Sequence, residues 1–142
     1  MTLTPNVDAT SETAQTTTST TGTTSTTGTQ STTRNETGAI LTFVGTVRGT
    51  EGETQAPIAA LHYEAYEPMA QRELHAIAAA AIERHGLQSV RIIHSTGRVA
   101  VGEASILIEV RSRHRAEGLR AMTEMLDGLK ERVPIWKTPV SS

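Results

Sequence analysis

From Gln15 to Gly38 no residue carries an apolar side chain. The run is a near-repeat of threonine, serine and glycine, TTTSTTGTTSTTGTQSTT, and it has nothing to bury that would offset the entropy lost on ordering it. A chain of 142 residues that spends its opening this way must build its core from the rest. Residues 1–37 are therefore expected to form a disordered tail, and 38–142 one small domain with a single core. A Ser/Thr-rich stalk carrying sugars is the alternative reading of the tail. No basic start followed by an apolar run marks a signal peptide, and no stretch reaches the length of a membrane span, so the chain reads as cytoplasmic.

Within the domain the side-chain period alternates between strand and helix. GAILTFVGTVR, residues 38–48, is a nearly continuous apolar and β-branched run, as a buried strand would be, and GTEGETQAP after it is a polar loop. IAALHYEAY alternates, with Leu61, Tyr63 and Ala65 on one face and His62 and Glu64 on the other, which predicts a half-buried strand. Pro68 suits a first helical turn; Leu74, Ile77, Ala78 and Ala81 follow at helical spacing, and Gly86 closes the helix. SVRIIHS and ASILIEVRS read as two further strands joined by GRVAVGE. A second helix is expected from about His114 to Val133, with Leu119, Met122, Leu126, Leu129 and Val133 on its apolar stripe, Ser112 as a plausible N-cap and Pro134 as its stop. The order β-β-α-β-β-α predicts an α+β fold, two helices packed on a mostly antiparallel sheet.

Charge and cysteine count narrow the chemistry. With no cysteine, the chain has no disulfide, no thiolate metal site and no persulfide of its own, so any sulfur it handles must arrive on another molecule. The five histidines include no pair at metal-ligand spacing on a predicted helix, so no metal is expected. Net charge is −2, but residues 1–90 carry −5 and residues 91–142 carry +3, so an anion would favour the C-terminal half. Solvated faces would give the same imbalance. Four aromatic residues and a negative net charge argue against a nucleic-acid groove.

Two places stand out. RSRHR joins the last strong strand to the second helix, where free backbone amides favour an anion and His114 and Arg115 would add donors. The competing reading makes Arg111 and Arg113 an exposed strand face and His114 incidental. The second place is LKERVPIWK, residues 129–137, which holds both lysines of the chain, Lys130 and Lys137, against eleven arginines overall. An amine loses its proton far more readily than a guanidinium and can then act as base or nucleophile. Two ordinary surface lysines are the plain alternative. If the second helix is continuous, His114 and Lys130 are roughly 24 Å apart at about 1.5 Å per residue. They then serve different sites, or a second copy supplies His114 and Arg115 across a dimer interface.

Four blocks, GAILTFVGTVRG, HYEAYEPMA, GRVAVGEASILIEVRSRHRAEGL and LKERVPIWK, resemble in sequence and order those of the large, catalytic subunit family of molybdopterin synthase. The resemblance covers about residues 38–137. It implies an α/β-hammerhead-like fold and a sulfurtransferase of molybdenum-cofactor biosynthesis that needs no cofactor of its own. Its substrate would be cyclic pyranopterin monophosphate, converted to the dithiolene of molybdopterin. Sulfur would come as a thiocarboxylate on the C-terminal Gly-Gly of a small ubiquitin-like carrier subunit, in a two-plus-two heterotetramer built on a homodimer. Carried over by position, the resemblance places substrate contacts on Phe43, Thr46, Val47, Arg48, His114, Arg115, Lys130, Lys137 and Thr138, with Lys130 and Lys137 catalytic. Thr138 and Pro139 stand where the family usually has a basic residue and a glutamate, which leaves an inactive, carrier-binding scaffold as the rival reading.

Overall fold

The computed structural model describes residues 6–10, as backbone only, and 36–141. In chain order its elements are β1 (Asn6–Thr10), β2 (Ala39–Thr46), β3 (Thr50–Glu51), β4 (Ala56–Ala65), α1 (Glu67–His85), β5 (Ser89–Ser95), β6 (Gly97–Ala100), β7 (Ala104–Ser112), α2 (Arg115–Arg132) and β8 (Ile135–Ser141). The fold is α+β, as the alternating period predicts, but its strands divide between two sheets. The main sheet runs β1-β5-β7-β2, and the second runs β3-β4-β6 with β8 also paired to β4. Every pairing among the described residues is antiparallel.

Both helices lie on one face of the main sheet. Register explains the core: Leu41 pairs with Val110 and Val110 with Val90, Phe43 pairs with Ile108 and Ile108 with Ile92, so each rung points the same way. Leu74, Ile77, Ala78 and Ala81 of α1 and Met122 and Met125 of α2 close over them. Each fully buried Ile, Leu or Met contributes roughly 1.5–3 kcal/mol. A smaller cluster, Val47, Ile58, Leu61 and Val99 with Tyr63 packed against it, holds the second sheet. The sheets touch where the His94 ring meets the edge of Tyr63, with centroids 5.1 Å apart and planes at 71°.

Helix α1 follows its sequence signals. Pro68 lies in its first turn, the residues expected inside are buried, and Gly86 ends it in the left-handed conformation at φ 64°, its N–H donating to the Ile82 carbonyl. Helix α2 departs from its expected stripe. Gly118, Ala121, Met122 and Met125 are the buried positions, Leu126 and Leu129 are partly buried, and Leu119 is 55% exposed. Small residues let the helix approach the sheet closely: a Cβ on Gly118 would stand 2.6 Å from Leu41 Cδ1 and 2.9 Å from Ser112 Oγ. The closest face therefore runs through Gly118 rather than Leu119. Ser112 is not the N-cap; that position is His114, without a side-chain cap bond, and the Ser112 hydroxyl donates to the His114 carbonyl at 2.7 Å.

Four further departures reflect long-range pairing. β2 is buried on one side only: Ile40 is 56% and Val44 48% exposed, because the helices cover just the opposite face. GRVAVGE is more than a connection, since residues 97–100 leave the main sheet and pair with β4. The segment after Pro134 continues as β8, antiparallel to β4. Residues 6–10, assigned to the tail in the sequence reading, form β1 against β5, while the rest of the tail up to residue 35 lies outside the described residues.

Candidate functional site

One corner of the second sheet gathers candidates from distant parts of the chain. Val47 is 3% exposed; its N–H donates to the Glu103 carbonyl at 3.0 Å and its own carbonyl accepts from Gly102 N–H at 2.8 Å. Gly49 is held on the far side of Arg48, its carbonyl accepting from Ile58 N–H at 3.0 Å. Arg48 thus projects, exposed, from a short arch anchored at both ends. Val47, expected to touch substrate, spends its side chain on the second core and both backbone groups on the arch. Thr46, the last residue of β2, is exposed beside a register shift in its pairing with β7. Phe43 is half-buried on the helix-facing side of the main sheet, packed against the large core.

Lys137 reaches the same corner from the other end of the chain. Pairing with β4 sets Lys137 opposite Tyr63 and Thr138 opposite His62. The strand is aimed by the turn before it, where Tyr66 N–H donates to the Pro134 carbonyl at 3.2 Å. From there the Lys137 ammonium lies 2.7 Å from a carboxylate oxygen of Glu51, three residues beyond Arg48. Sequence reading passed over Glu51, because a glutamate in GTEGETQ has no local feature to separate it from any loop acid. Behind the corner His94 is half-buried, and its Nδ1–H donates to the Ser95 carbonyl at 2.8 Å. Burial holds its imidazole below the ordinary histidine value of 6.5, partly opposed by that carbonyl.

The other candidates stand apart. His114 and Arg115 are exposed at the start of α2, and Lys130 is exposed in its last turn. The helix between is continuous, so the separation of roughly 24 Å expected at about 1.5 Å per residue holds. After Pro134 the chain runs on in extended form, β8 lying along β4 and carrying Lys137 with it. His114 borders an open depression of about 400 Å³ shared with Glu117 and with the Glu36–Arg113 ion pair of 2.9 Å. A larger groove of about 740 Å³ runs between the helices, lined in part by Arg84, His85 and Glu124, which bind one another, and it includes none of the expected site residues. Among the described residues Arg48, His114, Arg115 and Lys130 make no side-chain hydrogen bond or ion pair. No group of three or more histidine or acidic side chains among the described residues is arranged to hold a metal ion.

A family model described as MoaE protein matches residues 17–132. The chain belongs to this family. The match begins inside the Thr-rich tract and runs to the end of α2. The molybdopterin synthase catalytic subunit of Arabidopsis thaliana is 46% identical over 106 residues, 74% of this chain and 52% of that protein. The subunit of the same name from Caulobacter vibrioides is 38% identical over 104 residues, 73% of this chain and 67% of that protein. In structure, molybdopterin synthase from Staphylococcus aureus superposes with a TM-score of 0.69 at 33% identity, over 75% of this chain and 77% of that one. The chain spans about half the length of several curated relatives it matches, 52% in the plant case. The resemblance read from the four sequence blocks is borne out at the level of the family.

Proposed function

We propose that the chain is the large subunit of a sulfur-transferring enzyme of molybdenum-cofactor biosynthesis, working in the cytoplasm. It takes sulfur from a thiocarboxylated ubiquitin-like carrier and delivers it to cyclic pyranopterin monophosphate, forming the dithiolene of molybdopterin. The observation that carries this reading is the meeting of Lys137 with the Arg48–Glu51 segment at one corner, in a chain whose family includes proteins named catalytic subunits. The word subunit itself implies a partner. An absence of cysteine fits sulfur supplied from outside.

On this reading Arg48 holds the anionic end of the pterin substrate, and Lys137 with Thr138 orients it beside the carrier's thiocarboxylate. Lys130 moves the proton or transiently captures the acyl group as the carrier gives up its sulfur. His114 and Arg115 lie too far from Lys130 along one helix to share a small ligand with it, so they serve the pocket of a second copy. A homodimer flanked by two carriers follows.

The test combines purified chain, thiocarboxylated carrier and pterin precursor, with molybdopterin formation and native mass as readouts. Molybdopterin together with a two-plus-two mass is the expected result. A complex that forms but yields no molybdopterin overturns the catalytic reading and leaves a scaffold.

A further inference from the structure

We propose that Glu51 is a positioning residue for Lys137, holding its ammonium in one orientation at the Arg48 corner. The inference rests on the reading of Lys137 as a substrate-orienting amine, and it gives that amine the fixed geometry that orientation requires.

A lysine on a largely exposed strand has a flexible four-carbon stem and no reason to prefer one direction. Glu51 supplies one. Its carboxylate oxygen lies 2.7 Å from Nζ, and its side chain is 19% exposed against 50% for Lys137, so the carboxylate is the better-fixed partner.

The backbone explains why. Glu51 belongs to a two-residue strand, with Thr50 opposite Pro57 and Glu51 opposite Ala56. The turn that follows is braced from inside. Gly52 takes φ 79° and Gln55 φ 51°; Gln55 donates to the Gly52 carbonyl from its backbone N–H at 3.2 Å and from Nε2 at 2.8 Å. The Thr50 hydroxyl donates to Gln55 Oε1 at 2.8 Å. Glu51 is therefore presented from a rigid base.

An ammonium has three donors. Glu51 occupies one, and this aims the remaining two. A pair this exposed adds little to stability, and a carboxylate beside an anion-binding amine works against anion affinity. What Glu51 gains for the site is direction. Lys130 has no such partner among the described residues, so the two amines of the chain make an internal comparison.

The first measurement needs no substrate. Full-length chain is treated briefly with an N-hydroxysuccinimide acetate and acetylation at each lysine is counted by mass spectrometry. In Glu51→Ala, Lys137 should acetylate about threefold faster than in the parent, the range open to an exposed pair, while Lys130 keeps its rate. Glu51→Gln, which preserves the hairpin's bulk, should fall between. Equal Lys137 rates in parent and both variants overturn the tether.

The second is a double-mutant cycle on molybdopterin formation with carrier and precursor. Glu51→Ala should lower kcat severalfold without raising KM for the precursor, and should have no further effect in a Lys137→Ala background. A rise in KM at unchanged kcat, or an equal loss in both backgrounds, overturns the positioning role. If the parent chain forms no molybdopterin, the sulfur-transfer reading fails, while the labelling rates still decide whether Glu51 holds the amine.

Discussion

Lys130 and Lys137 stand seven residues apart on one short run of sequence, yet they occupy opposite kinds of structure. Lys130 sits on the last turn of a helix whose geometry is local: periodicity, the buried small-residue face and Pro134 account for where it is. Lys137 lies on a strand that exists only because β4 is there to pair with it, and its ammonium is engaged by a carboxylate from a hairpin far earlier in the chain. One amine is placed by its neighbours in sequence and left open. The other is placed by its neighbours in space and tied down. That difference suggests a division of labour, with the unpaired amine available for chemistry and the paired one for alignment.

Replacing each lysine with arginine tests the division most severely. K130R keeps the charge but removes an amine that can lose its proton, and should lower the rate of molybdopterin formation about a hundredfold, the lower end for a lost proton-transfer group. K137R keeps both charge and a donor for Glu51, and should cost less than tenfold. Single-turnover assays of the two variants side by side give the ratio. Equal losses would abolish the distinction.

The start of α2 can be perturbed without touching any proposed contact. G118A forces a Cβ against Leu41 and Ser112, and overpacking of this kind costs about 1–3 kcal/mol. Urea denaturation should show the loss. Because Ser112 also bonds the His114 carbonyl, activity supplied through His114 should fall by more than stability alone explains, whereas Lys137 acetylation should not change.

A smaller effect concerns the wall behind Lys137. His94 is held below its ordinary value by burial, so the unfolded chain binds its proton more readily than the fold does. Its contribution to stability is complete above about 6.5 and is lost as pH falls through the lower folded value. H94Q should therefore flatten the dependence of the urea midpoint on pH below about 6.5. An unchanged slope would mean that the imidazole does not titrate differently in the fold. Least affected should be the stability of E51A, within about 1 kcal/mol of the parent by thermal melting.

Both helices and three strands of the main sheet, β2, β5 and β7, were legible because each is signalled within a few residues, whereas β1 and the cap of α2 were not. Pro68 and Gly86 bracket α1, and alternation marks Leu61 and Tyr63 as inward. Leu119 misled because a leucine at helical spacing scores as core, whereas the close approach of Leu41 and Ser112 admits only the glycine beside it. β8 was illegible for a related reason: IWKTPVS has few apolar residues and a proline, and its strand character comes from β4. The burial of Val47 was likewise illegible, because it depends on the remote segments of Ile58, Leu61 and Val99.

Composition and periodicity sufficed to exclude cysteine-borne sulfur on this chain, to fix the α+β class and to single out two lysines, since these depend on residue identity and on neighbours two to four positions away. Which sheet each strand joins, which side of β2 stays open and which carboxylate meets Lys137 depend on contacts between segments remote in sequence. Such contacts are set by how the whole chain packs, so no window of a few residues could encode them.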